Sequence, residues 1–80
     1  MSDNASRSIV DVFSINLRTH RQARGLSQEA LAALAGVDRT YVSSCERGLR
    51  NVSIKTVSAL GHALQIPASI LLEEGANLEA

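Results

Sequence analysis

Apolar positions recur at spacings of three and four along most of this chain, and polar or glycine-bearing breaks divide them into short segments. Val10, Phe13, Leu17 and His20 form the first stripe. It predicts a helix capped by Ser6 or Ser8, running to about Arg24 and stopping at Gly25, with Phe13 as its main core anchor. Ser27 is a good N-cap for a second helix, where Glu29 faces the positive end of the helix dipole and Leu31 and Leu34 supply the apolar repeat up to Gly36. Asp38 caps a third, with Val42 and Cys45 as its inward pair. Ser53 caps a fourth, whose inward stripe is Ile54, Val57, Leu60, Gly61 and Leu64. Pro67 then pushes Ile66 out of helical conformation and opens a last short helix, Ala68 to about Glu74, ended by Gly75. Strand signals are nearly absent, so the expected fold is all-α: a compact bundle of five short helices.

The segment from Ser27 to Gly48 organises the rest. Ala32 has no bulk to prevent a second helix from crossing closely, and Gly36 can take the left-handed conformation that a sharp turn needs. These are the requirements of a central helix-turn-helix. At about 100° per residue, Val42, Cys45 and Glu46 share one side of the third helix, while Arg39, Thr40, Ser43, Ser44 and Arg47 share another. That outward side has no aliphatic residue. It offers guanidinium and hydroxyl groups, which bond to base edges and phosphates, although a solvated polar face has the same composition.

Composition narrows the possibilities. Eighty residues make one domain near the lower end for independent stability. With 45% hydrophobic but only 2% aromatic residues, the core must be built from Leu, Ile, Val and Ala. The expected division is a flexible N-terminus over 1–7, a domain over 8–75 and a flexible tail over 76–80. No apolar run reaches membrane-span length and the polar start does not resemble a signal peptide, so a cytoplasmic location is expected. The single Cys45 excludes an internal disulfide, and with only His20 and His62 it cannot build a cysteine-based zinc site; no metal or other cofactor is expected. Cys45 reads as a small buried hydrophobe and His20 as a satisfied histidine at a core edge. Net charge is zero, yet between Arg18 and Lys55 seven basic residues face three acidic ones, Glu29, Asp38 and Glu46. A basic face is therefore compatible with overall neutrality.

Leu17 to Leu64 resembles the helix-turn-helix family of phage repressors and Cro proteins, the XRE-type regulators, through LRTHRQARGLSQEALA, the Gly36 turn and ERGLRNVSIKTVSAL. Within that family, VDRTYVSSCERGLRNVSIKTV is most similar to the restriction-modification controller proteins, small dimeric transcription regulators. Val52 stands where many relatives have proline and Cys45 where they have Leu or Ile, departures that bear on loop rigidity and core packing. The resemblance implies a sequence-specific regulator that binds double-stranded DNA at inverted-repeat operators through the major groove, with RNA polymerase a further candidate partner. Arg39, Thr40 and Ser43 are then the base-reading set, Arg39 as the only long multidentate donor at the N-terminal end of the recognition helix. Arg21, Gln28, Tyr41, Ser44, Arg47, Arg50 and Asn51 are candidates for the DNA backbone, although Arg50 and Asn51 also fit an ordinary polar loop.

The resemblance also implies that an arginine of the first helix, here Arg21, pairs with Glu46. A carboxylate on the inward edge of its helix needs such a partner to stay charged. A phosphate contact by Arg21 is the rival, and five donors allow both. In the last helix, Ile66, Ile70, Leu71 and Leu72 are too many large aliphatics for one face, so some are expected at a homodimer interface. The tail offers only Leu78 to cover them. A protein-interaction module of the same fold, such as an antitoxin, is the alternative function. An enzyme is disfavoured, because the acids are accounted for as caps, a pair and a tail, and no phosphate-loop or nucleophile pattern is present.

Overall fold

Each of the four α-helices begins on a side-chain oxygen that accepts from its first turn. Ser8 Oγ accepts from Asp11 N–H at 3.1 Å, Ser27 Oγ from Ala30 N–H at 2.9 Å, Asp38 Oδ2 from Thr40 N–H at 3.2 Å and Ser53 Oγ from Thr56 N–H at 3.1 Å. The helices so started are α1 (Ile9–Ala23), α2 (Gln28–Ala35), α3 (Arg39–Glu46) and α4 (Ile54–Leu64), followed by a five-residue 3-10 helix, Ala68–Leu72. The structure, a computed structural model, describes residues 8–75. The expected flexible ends, 1–7 and 76–80, lie outside the described residues, and so do Ser6 and Leu78. Among the described residues there is no strand.

The α2–α3 corner has the expected chemistry. Gly36 takes φ 74° and ψ 32°, and Val37 N–H returns to the Ala32 carbonyl at 3.0 Å, which closes α2 and redirects the chain. Leu31, Ala32, Val42 and Cys45 meet beneath this corner with Phe13 and Leu17 of α1, Val57, Leu60 and Leu64 of α4, and Leu71. One small core thus holds all five elements. Arg24, the C-cap of α1, ties down the far end of α4: its Nη1 donates to the Leu64 carbonyl at 3.1 Å and to Gln65 Oε1 at 2.9 Å, where Gln65 itself takes the left-handed conformation, φ 61°.

Two positions of the expected apolar stripes, and the character of the last helix, are corrected. Leu34 is 61% exposed, because it lies about 200° around the helix from buried Ala32; the inward face of α2 is Leu31, Ala32 and half-buried Ala35. Ile54 is 86% exposed, since as the first residue of α4 it precedes the turn on which packing starts at Val57. The last helix is 3-10, not α, and its period of three sorts its side chains differently. Leu71, with Ala68 one turn before it, faces inward and is 0% exposed, so it is a core residue and not a partner contact. Leu72 shares the outward side with Ser69 and is 40% exposed, while Ile66 and Ile70 are half-buried.

Asn16 went unnoticed in the sequence. It is buried on α1, and its Nδ2 donates to the carbonyls of Glu73 at 2.8 Å, Leu71 at 2.9 Å and Ile70 at 3.3 Å. The amide takes up the carbonyls that a continuing helix would have satisfied, which seats the 3-10 turn on α1.

Candidate nucleic-acid interface

The outward side of α3 is built on a clamp behind it. Glu46 is the last residue of α3, and its side chain is 3% exposed against 12% for Arg21. Arg21 Nε donates to Glu46 Oε2 at 2.6 Å and Nη2 to Oε1 at 3.0 Å, a two-point fork, while Nη1 donates to the Leu26 carbonyl at 2.7 Å. Gln28 Nε2 adds a bond to Glu46 Oε1 at 3.0 Å. The hydrogen bond to Glu46 raises the Arg21 pKa above its ordinary value, against the opposing effect of burial. One carboxylate therefore joins α1, α2 and α3. These three bonds occupy three of the five guanidinium N–H donors, so Arg21 serves first as a clamp, with two N–H groups left over for the expected phosphate contact. Gln28, also expected at the backbone, spends its amide on Glu46, a use that the sequence reading missed.

With α3 fixed in this way, Arg39, Thr40, Arg47, Arg50 and Asn51 are exposed and Tyr41, Ser43 and Ser44 are half-buried. The Thr40 hydroxyl donates to Asp38 Oδ2, so what it presents outward is acceptor capacity and a methyl group. That bond, with the one from Thr40 N–H, holds the Asp38 carboxyl below the usual carboxylate range. Ser44 Oγ donates to the Thr40 carbonyl at 2.8 Å. Among the described residues, Arg39 and Ser43 make no side-chain hydrogen bond, which leaves their donors available. The Arg50 guanidinium lies 5.0 Å from the centroid of the Tyr41 ring.

Charge follows the same division. Of the ionisable side chains between Arg18 and Lys55, Arg18, Arg24, Arg39, Arg47, Arg50 and Lys55 are exposed, whereas only Glu29 and Asp38 are exposed acids and Asp38 is occupied as a cap. Burial of Glu46 against Arg21 removes the remaining carboxylate from the surface. The neutral total thus conceals an excess of exposed cations over this stretch.

Cys45 is buried, and desolvation pushes its thiol up to about 11, which leaves no appreciable nucleophilic thiolate at neutral pH. His20 is buried at the core edge as expected, but not satisfied: its Nε2 has no partner among the described residues. Among those residues no group of three or more His, Cys, Asp or Glu side chains could hold a metal ion, and no helix is long and apolar enough to cross a membrane.

Comparison with known proteins matches residues 17–71 to the helix-turn-helix family. The chain is 38% identical to the control protein C.SmaI of Serratia marcescens over 71 residues, which is 89% of this chain and 84% of that protein. Its fold superposes on the restriction-modification controller protein C.AhdI from Aeromonas hydrophila with a TM-score of 0.75 and 48% identity, covering 78% of this chain and 94% of the other. A similar match, with a TM-score of 0.75 and 29% identity over 82% of this chain and 87% of the other, is to the controller protein C.Esp1396I, as a tetramer in complex with its natural 35 base-pair operator.

Proposed function

This chain belongs to the helix-turn-helix family and within it to the restriction-modification controller proteins, and from that premise we propose that it is a sequence-specific DNA-binding transcriptional regulator of a restriction-modification system. The observation that carries this reading is the outward side of α3: a clamped helix presenting Arg39, Thr40 and Ser43, none of which is needed inside. Arg39, at the N-terminal end of α3, donates to guanine O6 and N7 in the major groove, and Thr40 and Ser43 meet neighbouring bases. Ser44, Arg47, Arg50 and Asn51 lie around the phosphates, with the remaining N–H of Gln28, and Tyr41 stands behind Arg50.

The protein acts as a homodimer. An apolar groove of about 170 Å³, lined by Ile9, Val10, Phe13, Val52, Ile54 and Leu72 among others, supports a second copy as its cover. Of the residues expected at the interface, Leu72 lines this groove, and exposed Ile54 at the start of α4 joins it. A two-fold pair of recognition helices calls for inverted half-sites about 34 to 36 Å apart. The working location is the cytoplasm, and RNA polymerase is the further partner of a regulator bound beside a promoter.

Selection of bound duplexes from a random pool tests the reading. The expected product is an inverted repeat, on which Arg39→Ala costs about 1 to 3 kcal/mol and relaxes the preference at one base pair per half-site. Failure to retain any duplex at low salt would instead favour a protein-interaction module. Uniform weakening on every operator would reassign Arg39 to a phosphate.

A further inference from the structure

The contact between Tyr41 and Arg50 links an ordered helix to an exposed loop. Tyr41 lies in the first turn of α3, half-buried, with its ring packed against the core cluster. Nine residues later the chain has turned back over it. Gly48, at φ 74°, permits the reversal, and Leu49 N–H closes it on the Ser44 carbonyl at 3.0 Å. Arg50 follows directly, its guanidinium 5.0 Å from the ring centroid. Among the described residues no carboxylate forms an ion pair with it.

We propose that Tyr41 serves as a positioning residue: its ring face holds the Arg50 guanidinium beside the recognition helix before DNA arrives, and it acts on DNA through Arg50 and not through its own hydroxyl. Attraction between a cation and a ring face consumes none of the five guanidinium N–H donors, so Arg50 stays competent to bond a phosphate or a base edge. An arginine on a free loop must surrender rotamer freedom when it binds. One already laid on a fixed ring surrenders less, and affinity rises accordingly. The ring is well suited to this because it also packs against the core cluster, on a helix and not on the loop.

The proposal rests on the DNA-binding reading, and its test separates the two. Binding of the wild type to the selected inverted-repeat duplex is measured first; failure there defeats that reading and this one with it. Given binding, Tyr41→Phe keeps the ring and is expected to stay within about 2-fold of wild type, while Tyr41→Leu is expected to weaken binding about 2- to 5-fold. In an Arg50→Ala background the Tyr41→Leu loss should vanish, which a loss of core packing alone would not produce. A Tyr41→Phe loss as large as that of Tyr41→Leu would assign the contact to the phenol hydroxyl and overturn the proposal. An undiminished Tyr41→Leu loss in the Arg50→Ala background would overturn it as well.

Discussion

Asn16 and Glu73, 57 positions apart in sequence, are joined by a 2.8 Å hydrogen bond from the Asn16 side-chain amide to the Glu73 main-chain carbonyl. With its bonds to the Leu71 and Ile70 carbonyls, this one amide carries the polar connection between α1 and the 3-10 helix, while Leu71 supplies the apolar one.

Asn16→Leu should therefore lower unfolding stability by about 1 to 3 kcal/mol, the range for leaving a buried polar group without its partner. Urea unfolding checks the size. Hydrogen exchange checks the location, since the amides of residues 68–73 should lose protection before those of α2 and α3. Uniform loss of protection would show that Asn16 supports the whole core equally.

Glu46→Ala should cost about 3 to 5 kcal/mol, because it leaves the largely buried Arg21 guanidinium uncompensated. Replacing both members with apolar residues should cost less than the sum of the single changes. A double-mutant cycle by urea unfolding measures the difference, and small additive losses would exclude the clamp.

Ile54 and Leu71 should respond in opposite ways. Ile54→Lys, at an exposed position, should leave the thermal transition of the monomer intact and shift sedimentation from dimer to monomer at tens of micromolar (about the range of ordinary weak dimers). Leu71→Ala should instead cost about 2 to 5 kcal/mol of stability. A dimer unaltered by Ile54→Lys would place the interface elsewhere.

Alkaline pH should destabilise the fold through Cys45. The native thiol keeps its proton up to about 11 while the unfolded chain releases it near 9.0, so the native state binds more protons in that window. The stability due to this group is complete below pH 9 and is lost as pH rises towards 11. Urea midpoints measured from pH 7 to pH 10.5 should fall more steeply for wild type than for Cys45→Val.

Local chemistry made much of this legible. Ser8, Ser27, Asp38 and Ser53 cap their helices because a cap needs only a short oxygen-bearing side chain and the first-turn amides beyond it. That Glu46 needs a partner was legible from its place on an inward helix edge, whereas the choice of Arg21 was implied by the family resemblance. Asn16 could not be read in that manner, since its partners are main-chain carbonyls brought together only by the tertiary fold. Leu71 was misassigned because five residues after a proline do not declare whether they turn with a period of 3.6 or of three. Ile54 and Leu34 show a different limit: helical spacing identifies a possible face, but whether a neighbour covers its first or last turn depends on where the helices cross.

The clamp at Glu46 has a consequence for how target preference can change. Arg39 and Ser43 bond to no other side chain among the described residues, whereas the orientation of α3 is set behind them by Arg21, Gln28 and Glu46. On the proposed base-reading role of these two residues, substituting them should change operator preference while the scaffold keeps its alignment and stability. For an engineer, that makes Arg39 and Ser43 the positions to randomise, and the three residues of the clamp the ones to leave alone.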